Sequence, residues 1–150
     1  MSVATTTESR VDVEWVDDDV FLGSDQSGRS IVFDSSLSES RKERKPSRGF
    51  GPMNTLLTAL GACSGMDIVA ILGKRKQRLE SLKVEVSGKR PEFGHPKPFT
   101  EIHLRYLLAG QLEERYVNEA VSDSVTKYCS VAAMLSSKTK ISFSYEIVRA

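Results

Sequence analysis

The sequence predicts an α+β domain in the order βββ–α–ββ–α–β, and three observations carry that expectation. Short segments alternate apolar and polar residues with the period of two that marks a half-buried strand. Residues 56–72 form a run that is apolar almost all round. Residues 112–129 repeat their apolar positions three and four apart, the spacing of an amphipathic helix.

In chain order, Val11, Val13 and Trp15 alternate with Asp12 and Glu14, which reads as a first strand. Residues 20–22 and 31–33 are short apolar runs split by Gly23-Ser24-Asp25 and Ser27-Gly28, and they continue an antiparallel meander. Residues 35–51 make a long polar connection in which Arg41, Lys42, Arg44, Lys45 and Arg48 outnumber Glu39 and Glu43. A loop of that length inside a compact domain is usually functional or mobile.

In the apolar run 56–72 only Thr58, Ser64 and Asp67 are clearly polar, and Gly73-Lys74-Arg75-Lys76 follows it. Cations there suit the negative end of a helix. A helix apolar on nearly every side must be buried on nearly every side. Gly61, Ala62, Ser64, Gly65 and Ala70 are small enough for another backbone to come close. Asp67 and the glycines argue for a protein core over a membrane span. Leu82, Val84 and Val86 mark a strand, residues 91–98 a proline loop, and Ile102, Leu104, Tyr106 and Leu108 a long strand ending near Gly110. Leu112, Tyr116, Val117, Ala120, Val121, Val125 and Tyr128 recur at helical spacing up to Cys129, and residues 131–135 make a second short helical stretch. Ile141, Phe143, Tyr145 and Ile147 share one face of a last strand. These strands cannot cover so apolar a helix on all sides, so a second copy of the chain is expected, in an intertwined or tightly packed homodimer.

The chain of 150 residues suits one domain, residues 11–150, after a loose Ser/Thr-rich tail at residues 1–10. A net charge of +1 supplies no global field for nucleic acid or an anionic membrane, and the basic loop reads as a solvated surface. The start has no apolar export segment, so the cytoplasm is the expected compartment. There is no Gly-rich phosphate loop, no nucleophile elbow and no nicotinamide or flavin fingerprint. His95 and His103 lack a third ligand at metal spacing, so neither a metal site nor a bound cofactor is expected.

The chain's two cysteines, Cys63 and Cys129, fall in separate helical segments. Two readings stand side by side: packed core thiols, or a pair brought together by folding for redox work in a reducing compartment.

The segment Gly51-Pro52-Met53-Asn54-Thr55-Leu56-Leu57-Thr58-Ala59-Leu60-Gly61-Ala62-Cys63-Ser64-Gly65-Met66-Asp67-Ile68 resembles the first cysteine helix of the OsmC/Ohr family. It is most similar to the OsmC-like branch, with the pattern G-x-x-P-x-E-L-L-L-x-A-L-G-G-C-x-x-x-D. Tyr128-Cys129-Ser130-Val131-Ala132-Ala133-Met134-Leu135 resembles the second cysteine segment of that family, and residues 141–147 its closing strand. The resemblance covers residues 11–149. It implies a homodimeric α+β fold in which antiparallel sheets wrap buried central cysteine helices. It also implies thiol-dependent reduction of organic hydroperoxides in oxidative and osmotic stress defence. Cys63 would be the peroxidatic cysteine and Cys129 the resolving one, with an external thiol or lipoyl-type reductant restoring the pair.

That chemistry needs a thiolate, hence nearby positive charge. It also needs a second thiol to capture the sulfenic acid, and a cation such as a guanidinium for the leaving oxygen. Arg48 is the first candidate, because residues 49–52 can fold it over the helix entrance; Arg29 is the second. The family's glutamate near the start of the cysteine helix is replaced here by Asn54, which carries no charge and orients an arginine less firmly. Glu43 or Asp67 could substitute. Asp67 stands one helical turn beyond Cys63 on the same face and is expected to pair with an arginine. The apolar surroundings point to apolar hydroperoxides. The rival from another class is a non-catalytic homodimer of the same fold that binds a hydrophobic small molecule and keeps its cysteines as packing residues; Asn54 favours it.

Overall fold

The computed structural model describes residues 5–35 and 47–149. Of the expected tail, residues 1–4 lie outside the described residues, and residues 5–10 are exposed and without regular structure. Glu39, Arg41, Lys42, Glu43, Arg44 and Lys45 of the basic loop also lie outside them. The chain divides into two compact units, Met1–Thr55 and Leu56–Ala150.

The first unit holds an antiparallel meander of β1 (Val11–Asp17), β2 (Val20–Asp25) and β3 (Ser30–Phe33), with β2 in the middle. Asp25 closes the β2–β3 turn by accepting the backbone N–H groups of Ser27 and Arg29 at 2.8 and 2.9 Å. The half-burial expected of β1 is not found. Val11, Val13 and Trp15 are 66, 60 and 67% exposed, because a three-stranded sheet in a single chain leaves this face without a second layer. Past β3, Asp34 is buried and accepts the Arg48 backbone N–H at 2.8 Å.

The second unit is built on β4 (Arg78–Lys89), β5 (Glu101–Gln111) and β6 (Lys140–Ile147), with β5 central. β4 and β5 form an antiparallel hairpin, whereas β6 runs parallel to β5. The expected antiparallel arrangement therefore stops at this last pair. Helices between β5 and β6 return the chain to the starting end of the sheet, and such a crossover makes a parallel neighbour. The β4 register shifts between Leu79 and Ser81, opposite Gly110 at φ 140, where a side chain would collide with the Arg78 carbonyl oxygen.

Helix α1 (Pro52–Lys74) starts at Pro52, earlier than the apolar run, and proline suits a first helical position. Its residues Leu60, Gly61, Ser64, Gly65, Ile68 and Leu72 are buried. Small residues let this face settle on β4: a Cβ on Gly61 would stand 2.9 Å from Val86 Cγ2. The other flank is open, with Met66 71% and Val69 52% exposed. In the single chain the helix is thus buried along one face, not on nearly every side. Between β5 and β6 the chain forms α2 (Glu114–Asp123), one π-helical turn (Ser124–Tyr128) and α3 (Ser130–Leu135). The expected continuous helix up to Cys129 opens at that turn, where the Cys129 N–H reaches back to the Ser124 carbonyl at 2.8 Å. Ile102, Leu104, Tyr106 and Leu108 of β5 are buried, as are Val117, Ala120 and Val121 of α2, and they form the core of this unit.

Candidate functional site

Cys63 and Asp67 lie one turn apart on α1, and Cys129 sits at the joint between the π turn and α3. Folding brings the three together: their sulfur and carboxylate ligand atoms all lie within 4.8 Å of one another. Both thiols are free, Cys63 half-buried and Cys129 buried.

A chain of hydroxyls backs this cluster. The Ser124 hydroxyl lies 2.9 Å from Ser64 Oγ, 2.9 Å from the Ser64 carbonyl oxygen and 3.4 Å from Asp67 Oδ2. Ser64 also shares a short hydrogen bond with the Tyr106 hydroxyl. Carbonyl and carboxylate oxygens only accept, so Ser124 donates toward them, Ser64 donates to Ser124, and Tyr106 donates to Ser64. Ser64, Tyr106 and Ser124 are all fully buried. Ser64 stood out in the sequence as a polar break in an apolar helix, but nothing in the spacing signalled its partners.

Burial pushes the Tyr106 hydroxyl up to about 12, with Cys129 and Asp67 adding to the rise and the Ser64 bond opposing it. Burial also pushes the Cys129 thiol up to about 11; the Ala132 N–H, 3.4 Å from Sγ, opposes this and Cys63 reinforces it. Cys129 is therefore a protonated thiol at neutral pH.

Arg48, Arg29 and Asn54 belong to the unit Met1–Thr55. Arg48 Nη2 pairs with Asp17 at 2.9 Å and Asp18 at 3.6 Å, and its Nε lies 3.7 Å from the buried Asp34. The hydrogen bond that Arg48 donates to Asp17 leads in raising the arginine's pKa further above its ordinary value. Carboxylates of β1, the β1–β2 turn and the end of β3 thus hold this arginine. Asn54 is exposed in the first turn of α1. Arg29 is exposed and pairs with Asp25 at 3.2 Å. The expected pairing of Asp67 with an arginine is not found among the described residues; its partner is the Ser124 hydroxyl. Arg75 is instead bound to Glu119 and stacks 5.7 Å from the Tyr116 ring centre. Beside Asp67 a groove of about 520 Å³ opens, lined largely by charged side chains including Lys74, Arg75, Glu119 and Asp123.

The fold and the close pair of free thiols define an α+β dithiol protein. The chain belongs to the OsmC-like family: the family profile described as OsmC-like protein matches residues 44–144. Protein YhfA of Escherichia coli K12 is 38% identical over 139 residues, covering 92% of this chain and 97% of that protein. The crystal structure of a hypothetical protein from Aquifex aeolicus superposes with a TM-score of 0.83 at 32% identity, covering 97% of this chain and 99% of the other. An organic hydroperoxide resistance protein OsmC from Legionella pneumophila shares the fold, with a TM-score of 0.69 at 11% identity and coverage of 96 and 100%.

Proposed function

We propose that the chain is a cysteine-based peroxidase reducing organic hydroperoxides in the cytoplasm, with Cys63 peroxidatic and Cys129 resolving. The observation that carries this reading is the placement of a half-buried and a buried thiol with sulfurs within 4.8 Å. The Cys63 thiolate attacks the outer oxygen of the hydroperoxide, the O–O bond breaks, and the alkoxide leaves as the alcohol with a proton from solvent. Cys63 is then a sulfenic acid. Cys129 attacks that sulfur, its proton leaves with the sulfenic oxygen as water, and a disulfide forms. An external thiol or lipoyl-type dithiol supplies the two electrons that restore the thiols. Closure to a disulfide bond of about 2 Å requires movement of less than about 3 Å, and the wide π turn before Cys129 is the segment to yield.

Arg48 is the activating cation in this reading, with Arg29 the second choice. Asp17, Asp18 and Asp34 take over the orienting task of the glutamate that Asn54 replaces. Preference for apolar hydroperoxides rests on the apolar run of α1 that carries Cys63, while its outer flank at Met66 and Val69 is left exposed in the single chain. The working unit is a homodimer in which a second copy covers that flank and the exposed face of β1. The rival reading, a non-catalytic binder with structural cysteines, is favoured by one observation, the burial of Cys129 and the raised pKa it causes.

One experiment separates them. Reduced protein is treated with stoichiometric cumene hydroperoxide, and its thiols are mapped by mass spectrometry. A fast Cys63–Cys129 disulfide, absent in Cys63→Ser and slowed in Arg48→Ala, is the expected result. Slow, unselective oxidation of both sulfurs would count decisively against the peroxidase.

A further inference from the structure

We infer that Cys63, Asp67 and Cys129 form a binding site for a thiophilic divalent cation, zinc being the type, with three protein ligands and one open position. The site shares its sulfurs with the proposed peroxidase, but needs neither peroxide nor disulfide. Two thiolates and a carboxylate are a donor set that zinc takes readily, in tetrahedral geometry. Sulfurs bound to one zinc stand about 3.8 Å apart, given Zn–S bonds of about 2.3 Å. Ligand atoms already within 4.8 Å need to close by only about 1 Å to reach that arrangement.

The surroundings fit as well. Cys63 and Asp67 are presented from adjacent turns of one rigid helix, so their spacing is set by α1 itself. The Ser124 hydroxyl reaches Asp67 Oδ2 at 3.4 Å, orienting the carboxylate while leaving it further lone pairs for an ion. Ser124 is in turn held by Ser64, giving the ligand a fixed outer support. Cys63 is only half-buried, which leaves an approach for the ion and for the fourth ligand, water or a small thiol. Ions that prefer oxygen, such as magnesium, are poorly served by two sulfurs. Sulfur ligands bind zinc as thiolates, so metal binding is coupled to proton release and affinity depends on pH. A bound ion also occupies both sulfurs, so the metal-bound and disulfide states exclude each other.

The test is made on the reduced chain, stripped of metal and titrated with zinc against a chromogenic competitor in the absence of peroxide. One zinc per chain is expected at micromolar concentration or below, with no binding of magnesium. Cys63→Ser, at the half-buried position, should weaken zinc binding by about a hundredfold, and Asp67→Asn by about tenfold. Cobalt(II) on the unmodified protein provides a readout that needs no variant: a thiolate-to-cobalt charge-transfer band with the visible bands of a tetrahedral site. Absence of zinc binding at micromolar concentration overturns the proposal. So does undiminished binding in Cys63→Ser, or a cobalt spectrum lacking thiolate bands. Because no oxidant is present, these results leave the peroxidase reading where it stands. A failure of cumene hydroperoxide to form the disulfide likewise leaves the metal site untouched.

Discussion

Ser64 and Ser124 meet hydroxyl to hydroxyl at 2.9 Å, and this contact joins the two segments that carry the sulfurs. Ser64 follows Cys63 on α1, and the Ser124 carbonyl accepts the Cys129 N–H at 2.8 Å. Removing the Ser124 hydroxyl strips partners from Ser64 and from Asp67 together. Ser124→Ala should therefore lower the unfolding free energy by about 1–3 kcal/mol, the range for orphaned buried polar groups. Loosened alignment should also slow peroxide-driven disulfide formation by about tenfold, equivalent to ~1.4 kcal/mol of barrier. Urea unfolding of the reduced protein measures the first and rapid-quench thiol mapping the second. Unchanged values in both would show that the contact does not position the sulfurs.

Alkaline pH should weaken the reduced fold in two steps. Cys129 has its pKa raised from 9.0 to about 11 on folding, and Tyr106 from 10.0 to about 12. Each group loses its proton more readily when unfolded, so above the unfolded pKa the unfolded state binds fewer protons and stability falls with pH. The Cys129 contribution is complete below about pH 9 and lost through about pH 11; that of Tyr106 starts to decline one unit later. Denaturant midpoints measured against pH under reducing conditions should show the decline. In Cys129→Ser the part that sets in first should be absent, because serine does not titrate there. A variant whose profile overlies the parent through that window would contradict the burial of this thiol.

Much of the architecture was legible because alternation and helical spacing are local properties. Ile102, Leu104, Tyr106 and Leu108 announce their shared face on β5, and all four are buried there. Sulfur proximity was written only as a motif resemblance, since residues 63 and 129 meet through the packing of α1 against the helical segment between β5 and β6. The parallel β6 was not legible, because a strand's own pattern does not state which way its neighbour runs. Nor was the π turn, since Tyr128 continues the helical spacing while the backbone widens at Ser124. The ion pairs of Arg48 escaped notice for another reason. Asp17, Asp18 and Asp34 look like ordinary turn residues until the meander gathers them around one guanidinium.

Two glycines of α1 should respond oppositely to alanine. At Gly61 an added Cβ would meet Val86 Cγ2 at 2.9 Å, a contact that β4 must move to relieve. Overpacking of this kind costs about 1–3 kcal/mol, more than the ~1 kcal/mol that alanine gains over glycine inside a helix. Gly73 has nothing within 4 Å of the same position, so only the helical preference acts there. Thermal unfolding should rank Gly73→Ala above the parent by about 0.5 kcal/mol and Gly61→Ala below it. The reverse order would mean that α1 does not rest on β4 through its small face.

The exposed strip of β1 makes the proposed homodimer measurable with an intrinsic probe. Val11, Val13 and Trp15 occupy alternate positions on one side of the strand and are 66, 60 and 67% exposed in the single chain. Contiguous apolar surface of this kind marks an association site in a soluble protein. Trp15 is the chain's single tryptophan, so its fluorescence reports this face alone. At micromolar concentration light scattering should return twice the 16.6 kDa chain mass, with blue-shifted emission that moves to the red on dilution. Val13→Asp places a charge inside the covered strip while sparing the Trp15 Nε1 bond to the Asp18 carbonyl at 2.8 Å, so the turn beside it stays intact. That variant should scatter as a single chain and emit to the red at every concentration. A parent protein that already scatters as a single chain, with emission insensitive to dilution, would remove the second copy from the reading and leave the strip open to solvent.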